Sequence, residues 1–129
     1  MSVSKRFMKV EDQVCSLELS CKLFDLGFDK KSLFVWEYYS DTCYGVKFLP
    51  YAAIPDEFNR LKIIHAYTAS ELIELLPVDV NDVPIHIGKL INGNHYVEYY
   101  FAYEKDKNLA NSCAKMLITL IEHGFYKND

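Results

Sequence analysis

Four histidines are the side chains of this chain best suited to acid–base chemistry or metal binding: His65, His86, His95 and His123. They form no HxH or HxxxH pair, the spacings that place two imidazoles on one strand or helix face toward a metal. His123 falls at the end of a predicted helix, where a cationic side chain favours the helix dipole. The spacing therefore predicts surface or structural histidines and no metal site.

The four cysteines are Cys15, Cys21, Cys43 and Cys113, and no two of them form a C-x-x-C pair. Cys21 and Cys113 fall on apolar helical stripes, where a free thiol behaves as a small hydrophobic side chain. Cys43 falls in a predicted turn with no histidine placed beside it to activate a nucleophile. We therefore expect free thiols, no metal and no bound cofactor.

One strand face gathers polar and aromatic side chains that could bind a ligand. With a hairpin loop at residues 92–94, His86 lies opposite Tyr100, and Glu98 and Tyr96 share that face. A plain solvent-facing strand carries fewer aromatic rings than this one. We therefore take His86, Tyr96, Glu98 and Tyr100 as candidate binding residues, and an enzyme using His86, Glu98 and Tyr100 as one alternative.

Length and charge limit the class of protein. The 129 residues fit one domain over 1–129, with a flexible start at 1–12. The net charge of −4 makes nucleic acid an unfavourable partner, since non-specific binding depends on excess Lys and Arg. No apolar run reaches the roughly 18–20 residues that span a bilayer, and no apolar stretch typical of a signal peptide follows the N-terminus. A soluble cytoplasmic protein is expected.

The carboxy-terminal helix, predicted over 106–123, is the element that the rest of the chain packs against. Its apolar positions recur at a 3.6-residue period, and its opposite strip, which includes Ser112, is polar. Asp106 is the predicted N-cap. Gly124 is predicted at C′, which brings Phe125 back toward Leu120 in a Schellman ending.

Two shorter helices are predicted earlier in the chain. One begins at Ser16 and ends near residue 26, with Gly27 at C′. The other begins with the capping box Thr68-Ala-Ser-Glu71 and is stopped by Pro77. Residues 50–65 are irregular, with a helical turn or a short strand at 61–64, and could form a functional flap.

Two antiparallel hairpins are predicted between the helices. In the first, a loop at 41–43 pairs Trp36 with Phe48 and Glu37 with Lys47. In the second, strands at 83–91 and 95–103 pair Ile87 with residue 99. The result is a two-layer α+β domain of about four strands, in the order α-β-β-α-β-β-α, with helices mainly on one face.

Three stretches carry a resemblance to known proteins: residues 15–28 with KSLFVWEY at 31–38, AYTASELIELLP at 66–77, and AKMLITLIEHG at 114–124. In order and spacing they resemble small proteins of bacteriophages, prophages and other mobile elements whose function is not established. The matched residues are mostly caps, core positions and strand aromatics. The resemblance therefore implies a fold and a bacterial cytoplasm, and supplies no catalytic residue.

The surplus of ten Tyr and eight Phe is open to three interpretations. It could form a tyrosine-rich core, an exposed face for a protein partner or for self-association, or a stacking site for a nucleotide or metabolite. We expect a non-enzymatic accessory protein that acts by protein–protein interaction, in counter-defence or host modulation. A small-ligand binding or sequestering module and an enzyme are the alternatives.

Overall fold

The computed structural model describes residues 9–40, 43–48 and 62–126, which form three α-helices and eight short strands. The helices are α1 (Leu17–Asp25), α2 (Ala69–Leu75) and α3 (Leu109–Glu122), and one 3-10 turn spans Val10–Asp12. The strands are β1 (Phe34–Ser40), β2 (Cys43–Phe48), β3 (Lys62–His65), β4 (Asp79–Val80), β5 (Val83–Pro84), β6 (His86–Lys89), β7 (His95–Tyr99) and β8 (Ala102–Asp106). Residues 1–12 were predicted to be flexible, and residues 1–8 of this stretch lie outside the described residues.

The α+β class with antiparallel sheets is confirmed, whereas the predicted strand count and order are wrong. The described strands form three small sheets with the orders β2-β1-β3, β4-β5 and β6-β7-β8. A short third strand, β3, pairs with β1 at residues 62–65, one residue later than the predicted alternative. The rest of the proposed flap, residues 50–61, lies outside the described residues.

Helix α3 is the centre of the larger hydrophobic core. It contacts β7, β8, α1 and α2, and its buried residues are Ala110, Ser112, Cys113, Ala114, Met116, Leu117, Ile118 and Leu120. The prediction that Ser112 faces solvent is wrong. Its hydroxyl is buried and lies 2.9 Å from the backbone oxygen of His95, so this polar group is satisfied inside the core.

The N-cap of α3 is Asn108, two residues after the predicted N-cap Asp106. Asn108 Oδ1 accepts from Asn111 N–H at 3.2 Å, while Asp106 is the last residue of β8. The Asp106 carboxylate accepts from Asn108 N–H and from Lys115 Nζ, each at 2.9 Å. Burial alone would raise the pKa of Asp106, but these hydrogen bonds, with one from Asn111, hold the pKa below its usual value.

The predicted helix endings are confirmed. Gly124 has φ of +78°, and Phe125 N–H donates to Leu120 O at 2.8 Å, which are the features of a Schellman ending. Helix α1 ends in the same way at Gly27, where φ is +84°. Both turns need a left-handed residue, which glycine adopts without steric cost.

The predicted register of the first hairpin is wrong by two residues. Trp36 is opposite Val46, not Phe48, so Glu37 and Lys47 do not form the predicted cross-strand pair. The pairing shifts between Tyr38 and Ser40, where β1 carries one more residue than β2. A shift of two residues keeps each side chain on its predicted face, because the strand period is two.

The second hairpin is also shifted by two residues, and for an identifiable reason. Its loop has three residues, as predicted, but they are Ile91-Asn92-Gly93: Leu90 N–H donates to Asn94 O at 2.7 Å, and Gly93 has φ of +91°. A three-residue hairpin loop takes its left-handed residue at the last position, which places glycine there. Ile87 is therefore opposite residue 97 rather than 99.

The strand predicted over 95–103 is in fact two strands. Tyr99 is opposite Ala102, so Tyr100 and Phe101 form a two-residue turn between β7 and β8. The predicted pairing of His86 with Tyr100 is accordingly wrong, and His86 is opposite Glu98. The sequence did not predict this turn, because the aromatic residues that form it include no Gly, Asn or Pro to indicate a chain reversal.

The predicted capping box of α2 is confirmed, and its glutamate also binds the two residues that precede β1. Glu71 Oε1 accepts from Thr68 N–H at 2.8 Å, and Thr68 Oγ1 accepts from Glu71 N–H at 3.2 Å. The same carboxylate lies 2.7 Å from Ser32 Oγ and accepts from Leu33 N–H at 3.0 Å. Glu71 therefore joins the beginning of α2 to the beginning of β1.

We expect Glu71→Gln to lower the free energy of unfolding by about 1–3 kcal/mol, because the amide places a donor where the carboxylate accepts. Glu74→Gln, an exposed change one turn along α2, is the matched control and should stay within about 0.5 kcal/mol. Urea denaturation followed by circular dichroism measures both. Equal effects of the two changes would contradict a linking role for Glu71.

Candidate functional site

The candidate binding residues lie on or beside the outer face of the β6-β7-β8 sheet. Val97 and Tyr99 of β7 are buried toward α3, so the alternating residues Tyr96 and Glu98 lie on the opposite face. His86 and Tyr103 are the cross-strand neighbours of Glu98 on either side. We call this surface, with Tyr100 in the adjoining turn, the tyrosine face: His86, Tyr96, Glu98, Tyr100 and Tyr103.

Packing within the sheet fixes the position of two tyrosine rings. Tyr96 and Tyr103 stack with centroids 5.9 Å apart and planes 22° apart. The Tyr96 ring also covers Gly88, since a Cβ added there would lie 2.6 Å from the Tyr96 ring and hydroxyl. Because Gly88 has no side chain, the Tyr96 ring can pack directly on the backbone of β6.

Exposed rings continue around the turn at the edge of the sheet. Tyr100 is 92% exposed, and Phe101 contacts Phe125 with ring centroids 4.9 Å apart. Two other tyrosines belong to the core: Tyr67 OH donates to the backbone oxygen of Lys30, and Tyr99 OH donates to that of residue 77. Tyrosines of this chain therefore serve both the core and the surface.

A cleft of about 420 Å³ adjoins the tyrosine face and contains three of the four predicted binding residues. Its lining residues are Asp82, Val83, Pro84, His86, Glu98 and Tyr100. Among the hydrogen bonds of the described residues, none joins His86, Glu98 and Tyr100 to one another. Of these three side chains, none is oriented as a general base by a hydrogen bond from another.

A buried polar cluster that the sequence did not predict joins Ser32, His65 and Glu71. Ser32 N–H donates to His65 Nδ1 at 3.2 Å, while the Ser32 hydroxyl lies within 2.9 Å of Ala66 O and Glu71 Oε1. A nucleophilic serine would need its hydroxyl on the imidazole. Here the backbone N–H occupies that nitrogen and Ser32 is buried, so the cluster is structural.

A second cleft missed by sequence reasoning, of about 680 Å³, lies between the 3-10 turn, α1 and β1. Its lining includes three acidic residues, Glu11, Asp12 and Glu18, and two aromatic residues, Trp36 and Tyr44. Trp36 Nε1–H donates to the backbone oxygen of residue 15 at 3.0 Å, which fixes its ring. The three acidic side chains give this cleft a negative potential.

No group of His, Cys, Asp and Glu within the described residues could hold a metal ion. Three cysteines are free thiols: Cys15, Cys21 and Cys113. The side chain of Cys43 is not among those that the structure describes. Burial raises the pKa of Cys113 to about 12, and burial also raises that of Cys15, so neither forms a thiolate readily. No helix in the described part of the chain has the length and apolar character to cross a membrane.

Comparison of the chain with protein-family models, with curated proteins and with solved structures finds no match. The resemblance to phage and prophage proteins therefore stays a prediction.

We expect the fold to lose stability as the pH falls below about 6.5. Burial lowers the pKa of His65. The negative charge of Glu71 raises this pKa, and the positive charge of Lys31 lowers it further. The unfolded chain then binds a proton more readily than the folded chain, so the free energy of unfolding falls as His65 titrates. His65→Asn, whose Oδ1 can accept from Ser32 N–H, should reduce this slope between pH 7 and 5.

Urea denaturation at stepped pH measures the effect, and His123→Asn is the control because His123 is exposed. An identical pH slope in the His65 and His123 variants would contradict the assignment.

Proposed function

We propose that this chain is a protein-binding module that engages its partner through the tyrosine face. The observation that carries the proposal is the arrangement of Tyr96 and Tyr103 on the outer side of a sheet whose inner side packs on α3, with Tyr100 exposed in the adjoining turn. Tyrosine supplies a large, amphipathic contact area with few rotatable bonds, which is why it is enriched at binding hot spots. Tyr100, at 92% exposed, has most of its ring still to bury.

The fixed positions of two tyrosine rings favour binding at this surface. The Tyr96–Tyr103 stack and the contact of Tyr96 with Gly88 hold two rings in place before a partner arrives. A preorganised side chain loses less conformational entropy on association, so more of its buried area contributes to affinity. Glu98, opposite Tyr103 on the neighbouring strand, provides a carboxylate that can fix the register and orientation of a partner.

The sequence resemblance to small proteins of phages and prophages is compatible with this mode of action. We therefore propose an accessory protein of a mobile element that works in the bacterial cytoplasm, by counter-defence or host modulation. The partner we favour is a different protein. A second copy of this chain is the alternative, and an oligomer-mass measurement distinguishes the two.

A photocross-linking amino acid placed at Tyr100 should capture a defined partner in bacterial cells, because this position is exposed at the edge of the face. Tyr44, a half-exposed tyrosine of β2 outside the face, is the control position. Tyr100→Ala/Tyr103→Ala should weaken binding of the identified partner by about thirtyfold or more, as expected for hot-spot residues. Mass spectrometry identifies the partner and calorimetry measures the affinity.

Equal cross-linking from both positions, or equal affinity of the double variant and Tyr44→Ala, would overturn the proposal. Light scattering of the purified chain tests the alternative. A dimer that becomes a monomer in the double variant would make the partner a second copy of this chain.

Gly88→Ala should weaken partner binding several-fold while the fold is retained. The added methyl group displaces only the end of the Tyr96 side chain, which separates Tyr96 from Tyr103 without entering the core. Gly45→Ala is the matched control, since a Cβ at that strand position contacts nothing within 4 Å. Calorimetric affinities and melting temperatures measure the two effects, and unchanged affinity in Gly88→Ala would argue against preorganised rings.

A further inference from the structure

A third cleft, of about 490 Å³, lies on the opposite side of the β6-β7-β8 sheet from the tyrosine face. Tyr96 and its neighbour His95 lie on opposite faces of β7, and His95 is on the side of this cleft. The cleft is lined by Asp12, Gln13, Thr68, Ala69, Ser70, Lys89, His95, Lys107, Asn108, Leu109 and Ala110. It is separate from the surface proposed to bind protein, so the inference drawn from it is independent of that proposal.

Basic side chains are concentrated in this cleft by the pairing of three strands. Lys89 of β6 is directly opposite His95 of β7, and His95 is opposite Asp106 of β8. Lys107 follows Asp106 in the chain, so two lysines and a histidine occur at one end of the sheet.

The positive charges in the cleft are not neutralised by the acidic residue beside them. The Asp106 carboxylate is already bound by Lys115 Nζ at 2.9 Å, by Asn108 N–H and by the side chain of Asn111. Within the described residues, the ion pairs with N···O distances up to 4.0 Å involve other lysines than Lys89 and Lys107. Two ammonium groups that form no ion pair among the described residues therefore border the same concave space.

We propose that this cleft binds the phosphate group of a small phosphorylated molecule. Lys89 and Lys107 would supply charge-assisted hydrogen bonds, which are stronger than hydrogen bonds between neutral groups. The hydroxyl of Ser70 and the His95 ring provide further polar groups around the lining. Asp12 contributes one negative charge against two lysines, and leaves the cleft with a positive balance.

The size and lining of the cleft favour a small ligand over a nucleic acid. Its volume lies in the range of about 300–1,000 Å³ typical of small-molecule sites. Apart from the His95 ring, the lining has no aromatic side chain on which successive bases could stack. The overall acidic charge also opposes a long polyanion, whereas a single phosphate group responds mainly to the local field.

The test uses inorganic phosphate and pyrophosphate as probes on the full chain, with sodium chloride at matched ionic strength as the reference. The expected result is a rise in melting temperature that saturates with probe concentration, as for a ligand that binds only the folded state. In ¹H–¹⁵N NMR spectra of the wild-type chain, the largest shifts should occur at residues 89, 95 and 107–110. Lys89→Gln/Lys107→Gln should weaken phosphate binding about tenfold or more, while Lys47→Gln, an exposed lysine of β2, leaves it unchanged.

No stabilisation beyond that of sodium chloride, or NMR shifts located away from the cleft, would overturn the proposal without requiring any variant to fold. Equal weakening in the double variant and in Lys47→Gln would overturn it as well. A short single-stranded oligonucleotide that binds more tightly than pyrophosphate, with the same dependence on Lys89 and Lys107, would replace the small ligand with nucleic acid.

Discussion

The burial of α3 on nearly all sides is the constraint on which the rest of this structure depends. A helix that contacts two strands and two other helices can present small side chains where neighbours approach closely, as at Ala110 and Ala114. It can also bury a polar group only if that group is hydrogen-bonded, and Ser112 meets this condition by donating to the backbone of His95. The position of β7, and with it the orientation of both of its faces, follows from these contacts.

Sequence reasoning predicted the helices, their endings and the faces of β1, β2, β6 and β7, because these depend on local chemistry and period. The predicted face of Tyr103 is wrong: it was expected on the inner face with Tyr99, but the turn at residues 100–101 places it opposite Glu98 on the outer face. Each hairpin was displaced by two residues, yet Tyr96 and Glu98 remained on the predicted outer face, since an even shift preserves the alternation. The position of the second hairpin loop can be predicted from Gly93, because a three-residue hairpin loop has its left-handed residue at the third position. The turn at Tyr100 and Phe101 has no comparable signal.

The two clefts away from the tyrosine face and the polar cluster at Ser32 could not have been predicted from the sequence. Each joins residues that are distant along the chain, such as Ser32 with Glu71 or Lys89 with Lys107. The periodicity of a single helix or strand does not predict contacts of this kind. Glu71 illustrates the limit well. Its role as a helix cap was readable from a spacing of three residues, whereas its contacts with the beginning of β1 depend on the tertiary fold.

The alternation of β7 has a consequence for how the two proposed surfaces work together. Tyr96 and His95 are consecutive residues on opposite sides of one thin sheet, so a protein and an anion bound there would occupy separate volumes and would not compete. Both would nevertheless act on the same backbone. If occupancy of one side alters the twist of β6 and β7, thermodynamic reciprocity requires each ligand to change the affinity of the other by the same factor. A sheet of three short strands would then serve as a two-sided coupling element.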